Sequence, residues 1–318
     1  LLTLKRYYNS NTHIFTKVYI WMWLTGMFFF LLTFLESYLW LFSFFGNNLI
    51  RDITVQWKAS GAMVGSWNML VYGTAFYVME KMSGDESVAS SKLTFFFYFL
   101  GLTNLMFNWG HHTYIVPASP WIRDVAYVIS MTELLILGNI IWNWRKTVSS
   151  ATKTFHLMSY RFFTASDVWI FINLVLAIAI SVPFINRFTH GTHITVAHAM
   201  GTTIGINTFI LFASLFYLLR LQNDTTLLKY IKAGFWILNV SLLIFWVSLI
   251  ASGITKTIEL TNGGTFASAM QKMLPYFYSF FIAGIGILAG ILLIAIPALV
   301  SCIQQIRQNR LVSFQPVT

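Results

Sequence analysis

Long apolar runs alternate with short polar connectors along this chain, and the length of those runs predicts helices rather than strands. Eight runs are long enough, at 1.5 Å rise per residue, to cross about 30 Å of hydrocarbon. They lie near Val18–Phe45, Ala59–Met79, Leu93–Trp109, Val125–Trp144, Val168–Ile185, Ile194–Leu219, Ala233–Ala251 and Met273–Cys302, the third and fifth being short for a span. The connectors "SGDESVASSK", "RKTVSSATKTFH" and "RLQNDTTLLK" are polar and too brief to be domains. The pattern therefore predicts an all-α integral membrane protein, a polytopic bundle of about eight transmembrane helices forming one membrane domain over residues 1–318.

Composition sharpens that picture. Of 318 residues, 57% are hydrophobic and 9% charged, where a soluble domain carries roughly a quarter charged. The 20 Lys+Arg against 10 Asp+Glu would suggest nucleic acid in a soluble chain; here the lipid bilayer is the expected partner and the cations read as a topology signal, with no nucleic acid implied. Placing the amino terminus inside puts fourteen of the 20 cations on the inner side, which favours inside termini. One cysteine, Cys302, excludes an internal disulfide and a cysteine metal cage. The sequence opens at Leu1 without a signal-peptide pattern, which leaves processing or an earlier start open.

Histidines carry the candidate chemistry. "WGHHTYIVPASP" places His111 and His112 side by side at the end of the third run. Adjacent imidazoles repel when charged and are costly to bury unpaired, so they need water or a shared positive partner such as a metal ion. "FTHGTHITVAHAMG" sets His190 and His193 at the outer start of the sixth run, with His198 about a turn deeper. Histidines gathered at one membrane depth on different helices suit a bundle-held metal or haem, although wet interfacial histidines would give the same letters. His13 and His156 fall in inner connectors and receive no role. Glu133, in "SMTELLIL", is a carboxyl in an apolar run and by default functional. Glu36, in "TFLESYLW", reads as a hydrogen-bond partner for a neighbouring helix or a member of a proton path.

Taken together, "WGHHTYIVPASPW", "SMTELLIL" and "THGTHITVAH" resemble the haem-copper oxidase superfamily, specifically its nitric oxide reductase branch, in the catalytic polypeptide. The resemblance runs from about Val18 to about Phe314 and matches the fifth to twelfth helices of a twelve-helix fold. It implies that His111 and His112 bind a non-haem iron or copper, and that His198 is the axial ligand of a high-spin haem b. It also implies a second histidine two residues beyond, for a low-spin haem; this sequence has Met200 there. Residues at i and i+2 of a helix point about 200° apart, as a helix between two haem planes requires. Methionine sulfur can ligate haem iron, and it can equally be packing filler; both readings stand.

In the second run, "VGSWNMLVYGTAFY", the family places a third imidazole and, in nitric oxide reductases, a glutamate four residues on; here those positions are Asn68 and Tyr72. Asn68 offers only a carbonyl oxygen, a harder and weaker donor. Tyr72 has the i+4 spacing of the redox tyrosine in the oxygen-reducing branch, and would otherwise be an aromatic-belt residue. Glu133 matches a family glutamate beside the metal and would supply protons. His190, Thr192, His193 and Arg187 would hold haem propionates.

The resemblance implies a respiratory oxidoreductase that reduces nitric oxide to nitrous oxide in an energy-transducing membrane, either the bacterial cytoplasmic membrane or an organelle inner membrane. The altered ligands leave nitric oxide dismutation, oxygen reduction and a non-catalytic haem-holding scaffold as alternatives. A transporter or channel finds no support in an internal repeat. The first four family helices have no counterpart, so either a second membrane chain supplies them or the sequence is part of a longer protein. The electron donor is a cytochrome c-type protein or a quinol; no CxxCH motif attaches haem here.

Overall fold

The computed structural model describes the backbone of residues 14–107, 109–110, 119–219 and 225–313, and within these it leaves out the side chains of residues 14, 123, 130, 131, 133, 134, 183, 225 and 308–313. Among the described residues there are helices and no strands. Long helices among these residues lie over the apolar runs: α1 Val18–Glu36, α2 Leu49–Ser83, α3 Lys92–Phe107, α4 Pro120–Thr147, α5 Leu157–Ser181, α6 His193–Leu219, α7 Thr225–Thr261 and α8 Phe266–Ser313. Within the described residues five stretches are long and apolar enough to cross a membrane, Val18–Leu41, Leu157–Ser181, His193–Leu219, Thr226–Thr261 and Phe266–Arg307. The helix α3 is apolar but shorter. The protein is an integral membrane protein built of helices.

Where the ends differ from the hydropathy pattern, polar chemistry decides. The helix α1 stops at Glu36 instead of running to Phe45, and the chain turns through two short helical segments, Leu39–Leu41 and Ser43–Gly46; Glu36 at its end is held by Lys58 of α2, both carboxylate oxygens lying 2.6 Å from Nζ. Gln56 adds a bond to the Ser37 carbonyl at 2.9 Å. Glu36 is thus a partner for the neighbouring helix. The helix α2 starts ten residues before the predicted Ala59, at a cap where the Asn48 side chain accepts from Arg51 N–H at 3.1 Å. It ends at Gly84, whose φ of 71° is the left-handed conformation that closes a helix without a Cβ penalty. The fifth run is displaced: α5 begins at Leu157, and Pro183 opens a separate short helix, Pro183–Thr189, rather than continuing it. Proline lacks the N–H for the i−4 bond, while polar residues ahead of Val168 remain helical by bonding back, as Thr164 does to the Tyr160 carbonyl at 2.9 Å.

The chain divides into two compact units. One comprises Leu1–Lys153 and Ile170–Arg187, the other Thr154–Trp169 and Phe188–Thr318. In the first unit α1 packs on α2, α2 on α3, and α3 on α4. Trp144 of α4 ties back to α2 by donating Nε1–H to the Met79 carbonyl at 3.0 Å. In the second unit α7 and α8 pack along their length, and α6 lies on α7. Its core centres on Phe162, fully buried among the rings of Phe209, Phe212, Phe216 and Phe235 at centroid distances of 5.1–5.8 Å, the spacing at which aromatic pairs attract beyond their buried area.

Candidate functional site

Two of the sequence-predicted residues meet in the first unit. Asn68 and Tyr72, one turn apart on α2, line one small cavity with Gly65 and Met69 of the same helix, Met22 of α1, and Phe97, Gly101 and Asn104 of α3. The helices approach closely here because Gly65 carries no side chain: a Cβ would stand 2.9 Å from the Leu105 backbone. Tyr72 is 5% exposed, with its ring 6.1 Å from that of Phe97. The cavity has about 10 Å³ open to the centre of a water molecule, which is room for one water. His111 and His112, which follow α3, lie outside the described residues. Glu133 stands on α4 and its side chain is likewise outside them. Arg187 is exposed at the end of the short helix and belongs to this unit.

The other histidines gather in the second unit. Thr192 caps α6, its Oγ1 accepting from Ile194 N–H at 3.2 Å. Gly253 of α7 lets this turn settle against that helix, since a Cβ there would lie 2.6 Å from Ile194 Cγ1. His193 is fixed on both sides, by Ser252 Oγ at 3.3 Å from its Nδ1 and by the ring of Phe277 at 5.3 Å. Lys256 donates to the Gly191 carbonyl at 3.1 Å, and Thr257 to the Phe188 carbonyl at 2.7 Å. The half-buried His190 sits in this turn, and burial pushes its imidazole below the ordinary range. A basic lysine, two imidazoles and a helix N-terminus thus share one end of this unit, a setting that favours anionic groups.

His198 and Met200, both half-buried, follow one and two turns along α6. His198 Nδ1 is out of reach of solvent. Immediately after Met200 the backbone widens into a π-helix, Gly201–Thr208, before resuming as an α-helix at Phe209. Such widened turns are rare and often lie at functional sites. Here the widened turn is filled from outside: a Cβ on Gly205 would stand 2.5 Å from Trp169 Cγ. The Trp169 indole is buried and packs edge-on to Trp246 at 6.2 Å. Asn104, Ser252, Lys256 and Trp169 are residues that sequence reasoning did not single out. Asn104 had a signal, a polar amide inside an apolar run; the others had none short of the fold.

The described residues thus form a helical membrane protein with histidines at the start of α6 in one unit and a small cavity between α2 and α3 in the other. The chain matches the family described as cytochrome c and quinol oxidase polypeptide I over residues 2–300, and belongs to that family. It is 22% identical over 273 residues to a nitric oxide reductase polypeptide of Stutzerimonas stutzeri, covering 79% of this chain and 56% of that polypeptide. Among solved structures it is similar to a heme-copper terminal oxidase dimer determined by cryo-EM, with a TM-score of 0.68 and 13% identity over 89% of this chain and 56% of the other. The chain thus spans about half the length of the relatives it matches.

Proposed function

We propose that this chain is the haem- and metal-holding part of a membrane oxidoreductase that reduces nitric oxide to nitrous oxide. The observation that carries the reading is its similarity, over 79% of its length, to a nitric oxide reductase polypeptide. In donor chemistry the residues suit the family's groups: the imidazole of His198 on α6 for haem iron, and His111 and His112 with the Asn68 carbonyl for a non-haem iron or copper. When bound, such groups would supply electrons and a place for NO. The chain's own residues do the rest. Tyr72, on the same cavity as Asn68, holds a phenolic proton close to the metal-binding position. Glu133 is the carboxyl that delivers protons, since two NO with two electrons and two protons give N₂O and water. His190, Thr192, His193 and Arg187, joined by Lys256, hold the anionic edge of the haem, and Met200 supplies a thioether to a second haem. The remaining length of the relatives supports a membrane partner, or further chain, that contributes the missing helices, and an electron donor of cytochrome c or quinol type.

Oxygen reduction is the second reading, favoured by Tyr72 and Asn68 sharing one cavity at the spacing of the oxygen-reducing branch. Dithionite-reduced spectra of the purified complex before and after CO, with metal analysis, test for one CO-binding haem and one further metal per chain. His198→Ala removes that haem if the assignment is right, and unchanged haem content rejects it. Turnover of isotopically labelled NO then separates the reactions: N₂O marks reduction, N₂ with O₂ marks dismutation, and O₂ consumption without NO turnover marks the oxidase. A complex with neither haem nor metal leaves a scaffold.

A further inference from the structure

Between α1 and α2 the chain runs through "YLWLFSFFGNNLI", residues 38–50, which carry no charge. The two short helices Leu39–Leu41 and Ser43–Gly46 turn the apolar side chains outward: Leu41, Phe42 and Phe44 are each 63% exposed, and Tyr38, Trp40, Leu49 and Ile50 are exposed as well. The backbone bonds within the segment, Phe45 and Gly46 donating to the Phe42 carbonyl at 2.9 and 3.0 Å and Asn47 to the Ser43 carbonyl at 3.0 Å. Gly46 permits this turn, because a Cβ there would stand 2.5 Å from the Trp40 carbonyl oxygen. The Arg51 guanidinium lies over the Phe44 ring at 4.2 Å and donates to the Phe44 carbonyl at 3.3 Å. The depth of the segment follows from the helices that carry it. The 19 residues of α1 rise about 28 Å, which matches the hydrocarbon of a bilayer. Gln56 bonds to the Ser37 carbonyl and Lys58 to Glu36, so the end of α1 is level with this part of α2. From there back to Leu49, α2 rises only about 10 Å, and the segment therefore lies in the headgroup layer, where Trp and Tyr concentrate and apolar anchors are seated. The membrane-spanning stretch Val18–Leu41 runs directly into it, so the lipid around the span continues over the segment. Its lack of charge gives an approaching protein nothing to steer by, and exposed apolar patches of this kind are costly in water.

We propose that residues 38–50 are an interfacial anchor whose occupant is the lipid surface, with Trp40, Phe42 and Phe44 seated where headgroups meet acyl chains. Arg51 stands among the headgroups, its apolar side covered by the Phe44 ring. The anchor holds the joined end of α1 and α2 at a fixed depth in the bilayer. It is independent of the reaction, so its failure and the failure of nitric oxide turnover are separate results.

The test places a spin label at Phe42→Cys or Phe44→Cys in a Cys302→Ser background, with the complex in phosphatidylcholine–phosphatidylglycerol vesicles. Asn262→Cys, in the exposed turn between α7 and α8, is the reference for water. Dissolved oxygen should broaden the Phe42 and Phe44 labels strongly, while a water-soluble nickel chelate broadens them much less than the label at Asn262. Nickel broadening equal to that at Asn262 puts the segment in water and overturns the proposal. Protection from both reagents puts it under protein and overturns it equally. The wild-type complex gives a second measurement that needs no substitution. A phospholipid with a photoreactive group near its glycerol should modify peptides that contain residues 38–50, and modification of α1 without these peptides counts against the anchor. If the labelled variants do not assemble, this photolabelling decides alone.

Discussion

Replacing Gly205 with alanine is the sharpest probe of how the histidine helix is held. The added methyl would meet Trp169 at 2.5 Å from Cγ, 2.6 Å from Cδ2 and 2.9 Å from Cβ, against about 3.5–4.0 Å for relaxed carbon contacts. An overlap of about 1 Å cannot be relieved by a small rotation, because the indole is 3% exposed and wedged against Trp246. Overpacking of this kind costs about 1–3 kcal/mol. The gain from replacing a helical glycine, up to about 1 kcal/mol, offsets part of it, which leaves a net loss of about 1–2 kcal/mol. Equilibrium unfolding of the purified protein in mixed micelles reads that loss. Trp169→Leu is itself destabilising because it leaves a void, yet it opens space for the methyl, so the double variant should be more stable than the sum of the two changes by about 1–2 kcal/mol. Strictly additive effects, or a Gly205→Ala protein as stable as wild type, would refute the packing argument. Thr202 donates to the His198 carbonyl at 3.2 Å within the same helix, so a shifted π-segment should also move the spectrum of any haem bound by His198.

Two further outcomes follow from charge and burial. Lys17 lies 2.7 Å from Glu86 and 3.2 Å from the buried Glu80, which Lys81 also approaches at 3.1 Å. Lys17→Met should cost about 1–2 kcal/mol in the same unfolding assay, a value reduced from that of a buried pair because Glu86 is exposed. Burial works against the Lys17 charge, but hydrogen bonds to Glu86 and Glu80 prevail and raise its pKa above the ordinary 10.5. Its stabilisation is therefore complete through neutral pH and fades only as pH rises past the raised value, and a stability gap that closes already near pH 7 would contradict this. At His190 burial favours the neutral ring and lowers its pKa from 6.5. The unfolded chain then binds the proton first on acidification, so this contribution is present above pH 6.5 and is lost as pH falls through the folded value. His190→Gln should flatten the acid limb of Tm against pH, and an unchanged limb would show that the ring is not the group titrating.

What the sequence determined by itself was the material of the bundle. Apolar runs with few charges have few folded alternatives in lipid other than helices that satisfy their own backbone bonds, so the existence and order of the long helices among the described residues could be read from letters alone. The histidines His111, His112 and His198 and the carboxyl of Glu133 stood out in the same way, by residue type and spacing within apolar runs, and their roles are part of the proposed function. Helix ends were not legible, since polar contacts rather than hydropathy mark them: Glu36 at the end of α1 pairs with Lys58, and a capping Asn48 begins α2 ahead of its apolar stretch. Only the tertiary structure could bring Asn104 to Asn68 and Tyr72 across a contact made possible by Gly65, or seat Trp169 in the widened turn at Gly205. Those arrangements arise from the closeness of packed helices, and hydrophobic periodicity shows which way a helix faces but not how near its neighbour comes.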